Sequence, residues 1–189
     1  MQTYNFDELI TRQNTDSIKW DKFNHKTIPL WVADMDFKSP PCITKSMKQR
    51  LNHEIYGYTH APENFRENIS LYLHEQYQWE VDPEWIVVLP SVVSALYSIG
   101  INCTNSASHI ITPKPVYHHL RIAAENSGRS YDEAQLDVIN NRILLTQSSL
   151  QRVVKKNTDL LYFCNPHNPG GTVYSEKELK NIVDFSVKN

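Results

Sequence analysis

The sequence has few cysteines and glycines and no long run of one charge sign. Cys42, Cys103 and Cys164 are too few and too scattered for a disulfide framework or a paired-cysteine metal site. Five glycines beside 10 prolines, with 40% hydrophobic residues, exclude collagen-like and low-complexity chains. Nineteen basic and 21 acidic residues give a net charge of -2 without any Lys/Arg run, which argues against nucleic acid as a partner.

The amino terminus also lacks a targeting pattern. MQTYNFDELITRQ has no basic segment followed by an apolar one, so we expect a cytoplasmic protein, with a short helix at 6–12. Trp85 to Ser108 carries no charge and is long enough to resemble a membrane span. Pro90, Gly100 and several serines and asparagines interrupt it, so we interpret it as a buried strand, a turn and a buried helix, with no membrane partner.

Short apolar runs alternate with helical patterns after Asp82. The apolar runs lie at 85–89, 109–112, 142–145 and 159–164, and the helical patterns lie at 92–103, 115–126, 147–156 and 176–187. This alternation predicts βα units and an α/β fold with a mainly parallel sheet and flanking helices.

Helix signals are clear in three further places. A serine and two prolines at 39–41 predict an N-cap and first turn, and the helix should end by 56–58. Apolar residues at helical spacing predict a second helix over 65–73. Ser175 and Glu178 form a capping-box pattern at the start of the last helix.

Three segments follow predicted strands, where open α/β sheets bind ligands. The turn PSVVS at 90–94 offers backbone N–H groups for a phosphate, although ordinary helix capping is the alternative. TPKPVY at 112–117 brings Tyr117 to a strand end, where its ring either stacks on a flat ligand or simply packs. NPHNPGG at 165–171 has two stiff Asn-Pro steps, which indicate a segment that positions a ligand, with a plain turn as the alternative.

Two other groups of residues have candidate chemistry. Asp34 and Asp36 flank a methionine in WVADMDF, where paired acids suit either acid–base work or simple capping and turn formation. His118 and His119 should point to different helix faces, which makes a poor metal pair, and we predict no metal site.

Together these segments resemble fold-type I pyridoxal-phosphate enzymes, specifically the PatB/MalY group of cystathionine β-lyases in the class I/II aminotransferase superfamily. The resemblance runs through almost the whole chain. WVADMDF and NPHNPGG, in this order, are its most specific parts. The segments that carry it are FDELITRQNTDSIKWD (6–21), WVADMDF (31–37), IYGYTH (55–60), PSVVSAL (90–96), TPKPVYHHL (112–120) and CNPHNPGGTVYSEKEL (164–179).

The resemblance implies a pyridoxal-phosphate-dependent transferase-like fold with pyridoxal 5′-phosphate as cofactor. By this resemblance, Val92 and Val93 form the turn that holds the cofactor phosphate. Tyr117 stacks on the pyridine ring, and Asn168 hydrogen-bonds to the ring hydroxyl. These implied roles agree with the strand-end positions of the same residues.

The resemblance also implies roles outside these loops. Tyr58 matches a tyrosine that contacts the cofactor phosphate of a neighbouring subunit, which implies a homodimer with shared sites. Ala33 and Asp34 match the segment on the substrate side. Ser91 departs from the family pattern, which usually has glycine there, and its side chain is expected to crowd the phosphate.

Essential parts of the family pattern have no counterpart in this chain. The family continues with an aspartate for the pyridine nitrogen, a Ser-x-x-Lys segment whose lysine binds the cofactor, and a late arginine for the substrate carboxylate. No Ser-x-x-Lys occurs here. We therefore expect no catalytic residue, a sheet cut off before it is complete, and cofactor binding that is noncovalent and weak at best.

These implications define one leading function and two alternatives. The leading function is a carbon–sulfur β-lyase that converts cystathionine or a related sulfur amino acid to a thiol, pyruvate and ammonia, with this chain inactive alone. The alternatives are an aminotransferase, and a non-catalytic binding or regulatory fragment or half of a split enzyme. Residues 1–50 are assigned to an arm and part of a small domain, and residues 51–189 to the first half of the large cofactor-binding domain.

Overall fold

The computed structural model describes residues 4–23 and 26–189. The chain divides into two compact units, Met1–Phe65 and Arg66–Asn189. The functional domain assignment with its boundary after residue 50 stays a prediction.

Within the described residues, the first unit contains two complete helices. Helix α1 spans Ile18–Asp21 and helix α2 spans Pro41–Asn52. Residues 6–12 are irregular, so the helix expected there is not formed. Helix α2 has Pro40 rather than a serine at its N-cap, and it ends before the predicted 56–58 stop.

The remaining elements begin at Phe65 and continue along the rest of the chain. A 3₁₀ turn spans Pro83–Trp85. The helices are α3 (Phe65–Tyr77), α4 (Val92–Asn102), α5 (His118–Asn126), α6 (Gln147–Gln151) and α7 (Glu176–Lys188). The strands are β1 (His109–Lys114), β2 (Ser130–Gln135), β3 (Asp137–Ile139), β4 (Arg142–Leu144) and β5 (Thr158–Leu161).

A parallel sheet with the order β2-β1-β5 is the centre of the second unit. This confirms the predicted mainly parallel sheet with flanking helices. The apolar run at 142–145 contributes β4, but β4 pairs antiparallel with β3 outside that sheet. The run at 85–89 forms no strand within the described residues, and β2 was not predicted.

The central strand β1 is buried on both faces. Ile110 packs in a cluster with Leu120 of α5, while Ile111 packs in a second cluster with Leu150 and Ile182. Successive side chains of a strand point to opposite faces, so helices must cover both sides. Because β1 and β5 pair in parallel, their carboxyl ends lie at the same edge of the sheet, and the buried strand β1 anchors that edge in the core.

The predicted capping box at the start of α7 is confirmed. The Ser175 hydroxyl accepts a hydrogen bond from the main-chain N–H of Glu178, and the Glu178 carboxylate accepts one from the Ser175 N–H at 2.7 Å. Arg142 donates to both Glu178 oxygens at 2.7 and 3.0 Å and lowers the pKa of Glu178 to about 2. Within the described ranges, each helix is too short or too polar to cross a bilayer.

Candidate functional site

The turn into α4 offers main-chain donors at the start of a helix, although the run before it forms no strand within the described residues. Helix α4 begins at Val92, so the N–H groups of Val92 and Val93 lie in its first turn and have no intrahelical acceptor. Such groups suit an anion. The Ser91 hydroxyl is turned toward the helix and accepts a hydrogen bond from Ser94 N–H at 3.1 Å. The side chain of Ser91 therefore acts as an ordinary N-cap, and the phosphate role of the two valines stays a prediction.

Two of the predicted site residues meet directly. The main-chain N–H of Tyr117 donates a hydrogen bond to the carbonyl oxygen of Asn168 at 2.8 Å. Tyr117 follows β1 and Asn168 follows β5, so the contact joins the loops at the carboxyl edge of the sheet. Tyr117 is half-buried and Asn168 is exposed. Across residues 4–23 and 26–189, no hydrogen bond engages the Asn168 side chain, which leaves its amide available to a ligand.

The loop that carries Asn168 is built around His167. The imidazole is 3% exposed, although both neighbours of His167 in the sequence are exposed. His167 Nδ1 accepts a hydrogen bond from Gly170 N–H at 3.1 Å, and His167 Nε2 lies 3.0 Å from the Pro115 carbonyl oxygen. A second connection therefore joins the loops after β1 and β5.

A cysteine completes the inner side of this loop. Cys164 Sγ lies 3.4 Å from the Pro166 carbonyl oxygen and accepts a hydrogen bond from Asn168 N–H at 3.4 Å. The main chain of Asn168 is therefore held through its N–H by Cys164 and through its carbonyl by Tyr117. Neither His167 nor Cys164 is predicted as a site residue from the sequence, because His167 follows a stiff Asn-Pro step and Cys164 resembles an ordinary core cysteine.

Three aromatic side chains cluster where α5 begins. The Tyr117 ring centroid lies 4.9 Å from that of His118 and 5.2 Å from that of His119, and the two imidazoles are 4.2 Å apart. The expectation that the histidines diverge is therefore wrong, because His118 is the first residue of α5 rather than one inside it. No group of three metal-ligating side chains converges within the described part of the chain.

The predicted acidic pair lies in the first unit, within an ion-pair cluster. Arg12 contacts Asp34 and Asp36, each at 2.6 Å, and Lys19 donates to Asp36 at 2.8 Å. The Trp20 indole N–H also donates to Asp36 at 2.8 Å. These partners, Lys19 first, hold the pKa of Asp36 well below its ordinary value. Asp34 and Asp36 therefore serve as the acidic partners of Arg12 and Lys19 in this cluster.

The other predicted residues of the first unit are exposed. Ala33 precedes the acidic pair, and Tyr58 lies in the irregular stretch after α2. The substrate-side role of Ala33 and Asp34 and the phosphate role of Tyr58 stay predictions.

Comparison with known proteins decides the family. The family model for aminotransferases of class I and II matches residues 25–189. The chain belongs to the class I and II aminotransferase family. This confirms the predicted superfamily. Matches to the PatB and MalY proteins confirm the PatB/MalY part of the resemblance, and the similar solved structures confirm the fold-type I transferase-like class.

Relatives of this family match over nearly the whole chain. Cystathionine β-lyase PatB of Bacillus subtilis is 30% identical, over 98% of this chain and 49% of PatB. The crystal structure of OvoB gives a TM-score of 0.89 at 34% identity, over 98% of this chain and 49% of OvoB. Cystalysin from Treponema denticola gives a TM-score of 0.88 at 30% identity, over 100% of this chain and 50% of cystalysin. The chain thus spans about half the length of the relatives that it matches.

The residues of this family member fit the family cofactor, pyridoxal 5′-phosphate, which the cystalysin crystals contain. An anionic phosphate suits the first-turn N–H groups of Val92 and Val93. A flat pyridine ring suits the aromatic side chain of Tyr117. A ring hydroxyl suits the unengaged amide of Asn168, which offers both a donor and an acceptor.

Proposed function

We propose that this chain supplies the phosphate and ring contacts of a pyridoxal-phosphate-dependent carbon–sulfur β-lyase site and does not turn over substrate alone. One observation carries the proposal: the hydrogen bond from Tyr117 N–H to the Asn168 carbonyl, which joins two predicted cofactor residues from separate loops. The identity to cystathionine β-lyase PatB supports the lyase reaction class. The substrate class is cystathionine or a related cysteine conjugate, and the products are a thiol, pyruvate and ammonia.

The chain contributes binding and orientation. The Val92 and Val93 N–H groups hold the phosphate, and the Tyr117 ring fixes the plane of the pyridine. The Asn168 amide fixes the ring hydroxyl. When bound, pyridoxal phosphate withdraws electrons from the substrate, which permits loss of a group from the β-carbon. The lysine that moves the α-proton in such sites has no counterpart in this chain, so we expect no turnover.

Binding is best tested with pyridoxamine 5′-phosphate, because its amine cannot condense with surface lysines. We expect saturable binding by the purified chain, followed by absorbance and intrinsic fluorescence. Tyr117→Ala and Asn168→Ala should each weaken binding, whereas His74→Asn, at an exposed position of α3, should not. Absence of binding at millimolar ligand would contradict the cofactor role.

Turnover is tested separately. Purified chain incubated with pyridoxal phosphate and cystathionine should release no pyruvate. Sustained pyruvate formation would contradict the proposed inactivity. A polypeptide that copurifies from the native host and carries the missing lysine would support half of a split enzyme. Solitary, aggregating chain would argue against that alternative.

Aminotransfer is the second candidate, because the matching family model is that of class I and II aminotransferases. Both reactions use the same cofactor contacts, so the residues of this chain do not separate them. A chain completed with the missing lysine segment would separate them: a lyase releases pyruvate without a keto-acid acceptor, whereas an aminotransferase requires one.

The proposed assembly is a cytoplasmic homodimer. Tyr58 would contact the cofactor phosphate of the other subunit, and its exposure leaves the hydroxyl accessible. Sedimentation velocity should give a dimer, and Tyr58→Phe should weaken pyridoxamine 5′-phosphate binding while leaving the dimer intact. If the chain is a monomer and Tyr58→Phe binds pyridoxamine 5′-phosphate as tightly as the wild type, the shared site is contradicted.

A further inference from the structure

The buried imidazole of His167 differs from its surroundings. Pro166 and Asn168 on either side are exposed, yet His167 is 3% exposed. Burial of a polar ring is unfavourable unless both of its nitrogens find hydrogen-bond partners. The contacts of His167 therefore decide how the loop is held.

The two partners of the ring fix its hydrogen positions. The Gly170 N–H can only donate, so His167 Nδ1, at 3.1 Å, must be the acceptor. The Pro115 carbonyl can only accept, so Nε2, at 3.0 Å, must carry the hydrogen. The neutral Nε2–H form satisfies both contacts, and the opposite tautomer satisfies neither. His167 therefore links the loop after β5 to a carbonyl two residues before Tyr117.

The backbone is closed tightly around this ring. His167 N–H donates to the Thr172 carbonyl at 2.7 Å, and Gly171 N–H donates to the His167 carbonyl at 2.7 Å. A side chain at Gly170 would place its Cβ 2.6 Å from His167 Nδ1. The loop therefore leaves space for an imidazole at 167 only when residue 170 is glycine.

Asn168 is thus placed by its neighbour. The Asn168 carbonyl accepts a hydrogen bond from the Tyr117 N–H, and the adjacent His167 imidazole hydrogen-bonds to the Pro115 carbonyl. We propose that His167 is a positioning residue of the cofactor site, which sets the Asn168 amide against Tyr117 by bridging the two loops. This inference rests on the proposed function only for the identity of the ligand.

Two substitutions separate the two contacts of the ring. His167→Gln retains a donor near the position of Nε2 and so can keep the Pro115 bridge. His167→Asn retains an acceptor near the position of Nδ1 and so can keep the Gly170 contact alone. If the bridge to Pro115 positions Asn168, His167→Gln should keep wild-type behaviour and His167→Asn should not. His74→Asn is a matched control, because that imidazole is exposed and pairs with Glu80 in another part of the unit.

The ligand test compares pyridoxamine 5′-phosphate with its analogue that lacks the ring hydroxyl. His167→Asn should weaken binding of the first about threefold to tenfold, the range for one hydrogen bond. Binding of the analogue should not change, because Asn168 has no hydroxyl to contact. His167→Gln should bind both ligands like the wild type. Equal weakening of both ligands, or equal behaviour of the two variants, would overturn the positioning role.

Hydrogen exchange provides a readout without any ligand. The Tyr117 amide should exchange at least threefold faster in His167→Asn and retain its protection in His167→Gln, because its acceptor is the Asn168 carbonyl. Unchanged Tyr117 exchange in His167→Asn would overturn the inference. Failure of the wild-type chain to bind pyridoxamine 5′-phosphate would contradict the proposed function instead, and the exchange result would still decide the role of His167.

Discussion

Thr112 has a buried hydroxyl that is unpaired among the described residues, and its replacement should stabilise the protein. Thr112 lies in β1, is 0% exposed, and its Oγ1 has no hydrogen-bond partner there. A buried hydroxyl without a partner costs about 1–3 kcal/mol. Thr112→Val keeps the branched shape and removes the unpaired group, so we expect the free energy of unfolding to rise by about 1 kcal/mol.

Thr158 provides the opposite case with the same chemical change. Its hydroxyl accepts the Lys155 N–H at 2.8 Å and lies 2.8 Å from His109 Nδ1. Thr158→Val leaves both partners without the hydroxyl. We therefore expect the free energy of unfolding to fall by about 1–3 kcal/mol.

Urea unfolding followed by far-UV circular dichroism measures both changes under one set of conditions. The m-values should match that of the wild type, so that the midpoints report stability. Thr112→Ser, which keeps the hydroxyl and loses a methyl group, should be less stable than the wild type. A loss of about 1 kcal/mol or more in Thr112→Val would refute the reasoning, because it would mean that the hydroxyl has a partner in solution.

Three further predictions concern pH and charge. Burial lowers the pKa of His109, so its contribution to stability should decline as the pH falls below about 6.5, and His109→Gln should flatten urea midpoints measured across that range. Hydrogen bonds from Lys19, Trp20 and Arg12 lower the pKa of Asp36. The contribution of Asp36 to stability is therefore fully present above about pH 3.8 and declines as the pH falls below it. Asp36→Asn should remove this pH dependence of stability, measured by tryptophan fluorescence. Glu178→Gln should lower the thermal midpoint, because the bidentate pair with Arg142 is lost. If the variant and the wild type melt at the same temperature in 1 M salt, the cause of the difference at low salt is purely ionic.

Capping and periodicity signals made the helices predictable. The α7 capping box and the start of α4 after Ser91 are properties of a few neighbouring residues, and both appear as expected. Strands were harder to predict, because a strand depends on its partner. The polar sequence SYDEAQ at 130–135 forms β2 only because it pairs along β1. The apolar run at 85–89 has no pairing strand within the described ranges, and after the 3₁₀ turn that ends at Trp85 it is irregular.

The candidate site was predictable at the level of residue types. Stiff Asn-Pro steps and a tyrosine after a predicted strand indicate the segments of Asn168 and Tyr117 as ligand sites. The contact between them uses main-chain atoms, which residue identity does not encode. The bridge through His167 also escaped prediction, because it depends on a carbonyl 52 positions away in the sequence. Both contacts depend on the backbone geometry of segments far apart in the sequence, which local sequence patterns do not specify.

The packing of Gly170 against His167 has a consequence for how this loop tolerates mutation. A Cβ at position 170 would lie 2.6 Å from the imidazole nitrogen, so alanine there is incompatible with histidine at 167. With alanine at 167 as well, the contacts with the imidazole are gone, and the nearest remaining neighbour of that Cβ is the Cβ of Ile143 at 3.2 Å. The two positions should therefore show epistasis in magnitude: Gly170→Ala is harmful in the wild-type background and less harmful once the imidazole is gone. In a library of paired substitutions, residues 167 and 170 should vary together.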